Sequence, residues 1–133
     1  MATSTDSMLR AKSLAPSLTA NDLQASIRFY EGFGFSIEER WENDGVLRGV
    51  MLRAGDIRIG LNQDDWMKGR DRVKGQGMRL FIRTDQDLDE LAARIRAAGV
   101  TLDSEPHETP WGSRAFEATD PDGFKVTIVN EAQ

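Results

Sequence analysis

At 133 residues the chain has the length of one domain, enough to bury a core without staples. It contains no cysteine, which excludes disulfides, thiolate metal sites and a cysteine nucleophile. A net charge of −5 argues against nucleic acid as a partner, and no apolar run approaches the roughly 20 residues that cross a bilayer. Residues 1–77 balance their charges, so residues 78–133 carry the whole excess of acid, an acidic surface that favours solubility or a cationic ligand.

In chain order, residues 1–12 are small, polar and aperiodic, which predicts a flexible tail. They hold no apolar segment of the secretory kind, so the expected location is cytoplasmic. "SLAPSLTA" reads as a strand, and "NDLQASIRFYEGFG" as a helix. Asn21 or Asp22 can cap that helix, and Leu23, Ile27, Tyr30 and Phe33 repeat at helical spacing. Gly34 suits the left-handed residue that ends it. "FSIEERW", "VLRGVMLR" and "IRIGLN" follow as strands, the first two joined by a turn at Asp44-Gly45. Residues 64–77 are rich in charge and glycine without periodicity, and read as a linker.

The pattern then starts again. "MRLFIRT" predicts a strand and "DQDLDELAARIRAAG" a helix, with Leu88, Leu91, Ile95 and Ala98 inward and Gly99 at the end. "VTLDSE" predicts a strand, "PHETPWG" a loop, "SRAFEAT" a strand, "DPDG" a type I turn and "FKVTIVN" the last strand. Asp22-Leu23 matches Asp87-Leu88 at an offset of 65, and Ile57, Ile59 and Leu61 match Phe124, Val126 and Ile128 at an offset of 67. The fold class is therefore α+β: two βαβββ modules, about 13–63 and 78–131. One helix covers one face of each sheet, so a cleft between modules is expected on geometric grounds.

Two such modules, with "NDLQASIRFYEGFGF" in the first and "PWGSRAFEATDPDGFKVTIV" closing the second, resemble the vicinal oxygen chelate superfamily of glyoxalases, bleomycin-resistance proteins and extradiol dioxygenases. The resemblance spans about residues 13–131. It implies curved mixed sheets forming a cup with the helices outside, a homodimer, and a small-molecule ligand in a cleft. In catalytic members it also implies a divalent metal held by His, Glu or Gln at four equivalent places. Those places fall here near Ala15, at Gly60, near Arg79 and at Thr127, none of which is such a ligand. A metal-free protein without a cofactor is the consequence, closest to the bleomycin-resistance-like branch; antibiotic sequestration is one form of its function. The alternative is a lyase, isomerase or dioxygenase with an atypical metal site. His107, the only histidine, is expected in a surface loop.

Six residues are the expected ligand contacts: Trp41, Trp66, Trp111 and Phe81 by stacking, Arg58 and Arg79 by anion recognition. For Trp111 the resemblance implies a ring at the cleft, while its sequence alone also allows a cap on its own module's core. Strand parity puts Arg58 on the face opposite Ile57, Ile59 and Leu61. Arginines there favour a carboxylate or phosphate, unless they lie at open strand ends and reach solvent. No general acid–base pair stands out.

Overall fold

The computed structural model describes residues 8–130; the expected tail, residues 1–12, falls partly outside them. The first module runs β1 (Ser17–Ala20), α1 (Leu23–Gly32), β2 (Ser36–Asn43), β3 (Val46–Ala54) and β4 (Ile57–Gln63). The second runs β5 (Arg79–Thr84), α2 (Leu88–Ala97), β6 (Ser104–Glu108), β7 (Arg114–Thr119) and β8 (Lys125–Asn130). Each sheet has four strands in the same order, β1-β4-β3-β2 and β5-β8-β7-β6, and neither closes. The first and last strands of each module pair in parallel, the others antiparallel. This is the duplicated α+β architecture that the repeat predicts.

Local chemistry sets the helix ends. Asp22 accepts from the Ala25 amide, and Asp87 from the amides of Asp89 and Glu90. Gly34 and Gly99 follow the helices at φ of 104° and 100°, which a side chain would strain. Leu23, Ile27 and Tyr30 are buried as expected. In α2 the buried set is Leu88, Ala92 and Ile95; Ala98, expected inward, is the exposed C-cap, where the chain turns off the sheet.

Two predicted strands shift. The first begins only at Ser17, after Pro16, whose ring nitrogen cannot donate to a ladder. The strand expected at 100–105 lies at Ser104–Glu108, so Pro106, His107 and Glu108 belong to a strand rather than a loop. Val100 is buried and holds the preceding chain against the core. Pro106 is tolerated because β6 is an edge strand, with a register shift between Ser104 and His107. His107 is exposed there, with Nδ1 2.7 Å from the Glu105 carbonyl.

The helix-covered sides of both modules merge into one core, joining Tyr30, Val50, Leu52 and Leu61 to Ile95, Phe116, Val126 and Ile128. Polar contacts reinforce the junction. The Tyr30 hydroxyl donates to Asp120 at 2.8 Å, and the Asn21 amide and Ser26 hydroxyl donate to Asp122. Residues 64–77 hold no regular element, yet they are fastened. Asp64 is buried, and its carboxylate accepts from the Trp66 amide, Arg72 and Lys74, the last at 2.9 Å. The Gly75 amide donates to the Asp122 carbonyl, and a Cβ on Gly75 would overlap the Gly123 backbone. The segment is a clasp across the β7–β8 turn.

Candidate functional site

The register fixes which residues share the open face of each sheet. Gly60 sits between Ser17 on β1 and Met51 on β3, and Thr127 between Phe81 on β5 and Glu117 on β7. The two are equivalent in pairing as well as in sequence. Their surroundings offer little to a metal ion. Ala15 precedes β1, and Gly60 has no side chain. Arg79 lays its guanidinium over the fourth place, with Nη1 2.7 Å from both Thr127 Oγ1 and Glu117 Oε2. A fixed cation there opposes a second one. Among the described residues no group of three or more His, Cys, Asp or Glu could hold a metal ion. The donor set does not fit the metal that the resemblance implies for catalytic members.

Between the modules runs a groove of about 470 Å³. Its origin is topological. Residues 57–59 of β4 pair with β3 but have no β1 partner, because β1 starts late. On the far side β5 is the edge of its own sheet. Apolar side chains of Leu14, Pro16, Ile57, Met78 and Phe81 line the space between these two edges. Arg58 and Arg79 are the charged side chains of the lining. Three of the six expected contacts, Arg58, Arg79 and Phe81, thus meet in one cavity.

Both arginines are held from behind. Arg58 grips Glu38 through Nε at 2.6 Å and Nη2 at 3.2 Å. Glu38 also receives Arg53 at 3.4 Å. The Arg58 hydrogen bond keeps the Glu38 carboxyl below the usual carboxylate range, and Glu38 in turn raises the Arg58 pKa. Arg79 spends Nη1 on Glu117 and Thr127. Sequence reading missed both carboxylates. Glu38 lies on the side of β2 opposite inward Ile37, which is the side of Arg53 and Arg58, and the register shift between Ile37 and Glu39 brings Glu39 to that side as well, opposite Met51. Glu117 follows from the parity of Thr127, its direct cross-strand partner.

The three tryptophans lie elsewhere. Trp41 packs its ring on the open face of the first sheet over Gly49, its cross-strand partner. Trp66, at φ 65°, lies under Arg70 at 4.5 Å and Lys74 at 5.4 Å, inside the clasp. Trp111 is 62% exposed, so it does not cap its module's core. A tight turn holds it out: Thr109 and Ser113 exchange backbone and hydroxyl bonds around it, and Gly112 takes φ 91°. Beside that turn is a second cavity, of about 510 Å³, walled by Asp85, Asp87, Asp89 and Glu108. Arg114 crosses it to Asp89 at 2.9 Å and Glu108 at 3.7 Å. The acidic half of the chain is thus partly gathered at this place.

Comparison with known proteins agrees with the duplicated fold. The family model described as Glyoxalase/Bleomycin resistance protein/Dioxygenase superfamily matches residues 12–128. TioX from Micromonospora sp. ML1 is similar over 92% of this chain and 100% of its own, at TM-score 0.73 and 19% identity. A bleomycin-binding protein complexed with bleomycin aligns over 92% and 100%, at TM-score 0.66 and 20% identity. Lactoylglutathione lyase from Agrobacterium tumefaciens aligns over 92% and 96%, at TM-score 0.65 and 21% identity. At such identities these likenesses speak for the fold alone. No curated protein sequence matches the chain. Among the described residues no helix is long and apolar enough to cross a membrane.

Proposed function

Because the chain belongs to the Glyoxalase/Bleomycin resistance protein/Dioxygenase superfamily, we propose that it is a metal-independent small-molecule-binding protein whose site is the groove between its modules. One observation carries this reading. The place that would receive the metal in the second module is taken by a guanidinium bonded to Thr127 and Glu117. The groove is of ligand size, apolar, and furnished with two oriented polar groups, which is the usual make-up of a binding pocket. Arg58, Arg79 and Phe81 are its contacts.

Sequestration of a cationic antibiotic is a second reading, and it places the ligand at the separate cavity beside Trp111 rather than in the groove. The similar bleomycin-binding protein supports it by fold. Trp111 and the acidic cavity beside it would serve a cationic drug of that kind, with the exposed ring stacking on planar groups. A homodimer in the cytoplasm completes the proposal. It is supported by β2, which is exposed along nearly all its length and carries Trp41 and the turn to exposed Val46.

Elemental analysis of protein purified without chelators tests the central claim. Less than about a tenth of an equivalent of metal is expected, against the one ion per site that structured metal centres hold. Near-stoichiometric Zn, Mn, Fe or Ni would refute it and favour a lyase, isomerase or dioxygenase. A tryptophan-fluorescence titration with metal-free bleomycin tests the second reading. Saturable quenching at one ligand per chain supports sequestration of a cationic antibiotic, and an unchanged signal removes it.

A further inference from the structure

We infer that the groove between β4 and β5 selects a flat, apolar monocarboxylate. The inference rests on the groove being the ligand site, and it adds the charge, shape and polarity of the ligand. Three observations lead to it.

The first is charge at the lining. Two cationic side chains and no carboxylate face the space. A cationic ligand would meet the guanidinium groups of Arg58 and Arg79 first, because Glu38 and Glu117 are already engaged by them and neither lines the groove. The second is the state of those cations. Each has an acidic partner behind it, so its orientation is set before any ligand arrives. Each also keeps donors free: Nη1 of Arg58, and Nε and Nη2 of Arg79, have no acceptor among the described residues. Pre-oriented guanidinium edges match the planar oxygens of a carboxylate. Glu38 and Glu117 balance the two guanidinium charges, so the free donors recognise an anion by hydrogen-bond geometry more than by net charge. A doubly charged phosphate would be repelled by those two acids.

The third is the wall. Phe81 is 43% exposed on the face it shares with Arg79. Its ring already carries the Arg83 guanidinium at 5.3 Å, which leaves its other face for stacking. Pro16 and Ile57, from the other module, add apolar surface to the lining. An aromatic or conjugated carboxylate satisfies wall and donors together, and neither an inorganic anion nor an aliphatic amine does.

A panel of matched probes tests this: naphthoate, its neutral amide, naphthylmethylammonium and inorganic phosphate, titrated at fixed ionic strength with amide chemical shifts as readout. Naphthoate is expected to shift the amides of β4 and β5 and to bind about tenfold or more tighter than the amide, as a hydrogen bond to a charged group allows. Arg79→Gln and Arg58→Gln should each remove most of that margin without weakening the amide. Arg79→Lys should recover only part of it, because an ammonium lacks the fork. Phe81→Ala should weaken acid and amide alike. If amide and acid bind equally at these strands, or phosphate competes with naphthoate, the ligand class is wrong and the site stands. If every probe leaves β4 and β5 unshifted, the groove is not the site, and this inference falls with the groove reading.

Discussion

Removing one oxygen from the centre of the molecule should unfasten the two modules. Tyr30 is completely buried, and its hydroxyl donates to Asp120 Oδ2 at 2.8 Å. The other carboxylate oxygen is held by the amides of Asp122 and Phe124, both at 2.9 Å. Tyr30→Phe keeps the ring and its edge contacts with Phe29 and Phe35, at 4.9 and 5.7 Å. It removes the donor to Oδ2. A hydrogen bond to a charged group is worth about 1.5–3 kcal/mol, and its loss leaves the acceptor buried and unpaired. For a chain of this size that is a fall in Tm of roughly 5–12 °C. Urea unfolding should show the loss as a lower midpoint at unchanged slope. The pH dependence is a sharper test. Burial holds the Asp120 carboxyl above its ordinary value of 3.8, and the Tyr30 hydrogen bond partly opposes that. Without the hydroxyl the Asp120 pKa rises further. A carboxyl whose folded pKa is raised favours the folded state below its unfolded pKa, and that advantage is lost as pH rises through the folded value. The penalty of Tyr30→Phe is therefore greatest at neutral pH and shrinks toward pH 3.8. A penalty below about 0.5 kcal/mol, or one that stays constant with pH, would refute the account, since it would be no larger than an ordinary surface change.

The clasp makes a second pH prediction. The Lys74 hydrogen bond, ahead of every other influence, holds the Asp64 carboxyl below its ordinary value of 3.8, so the stability it provides is present above that pH and lost as pH falls through the lowered value. Asp64→Asn should lower the urea midpoint at neutral pH, with the difference closing under acid; equal midpoints at neutral pH would show that the carboxylate does not hold the segment. For the proposed homodimer, light scattering over a range of concentrations should give twice the mass of the 133-residue chain. A single-chain mass throughout would remove the dimer.

The duplication was legible because it is written locally. An aspartate cap, an apolar stripe and a glycine stop recur in each half, and each depends on neighbours within a turn or two. The parity of "IRIGLN" likewise gave the face of Arg58 correctly. What parity could not give was the meeting of Arg58 with Glu38: both fall on the open side, but β3 lies between their strands and nothing local to either says that they touch across it. The position of β6 failed for a related reason. Pro106 reads as a strand breaker, but an edge strand leaves one side of its backbone unpaired and accommodates it. The bond from Tyr30 to Asp120 spans 90 positions, and nothing local to either residue announces the other. The linker position of Trp66 favoured a cleft or dimer role, and the linker itself looked loose. Buried Asp64 and Lys74 show that the linker is instead a packed part of the fold.

The shared core also sets an order of events during synthesis. The chain emerges from its N-terminus, so α1 is complete long before the β7–β8 turn exists. Until Asp120 and Asp122 appear, the hydroxyls of Tyr30 and Ser26 have none of their final partners, and Gly75 has no Gly123 to rest on. The first half therefore waits, partly exposed, for the last hairpin to seal it. The sequence repeats itself twice, but the molecule matures once, when its final two strands arrive.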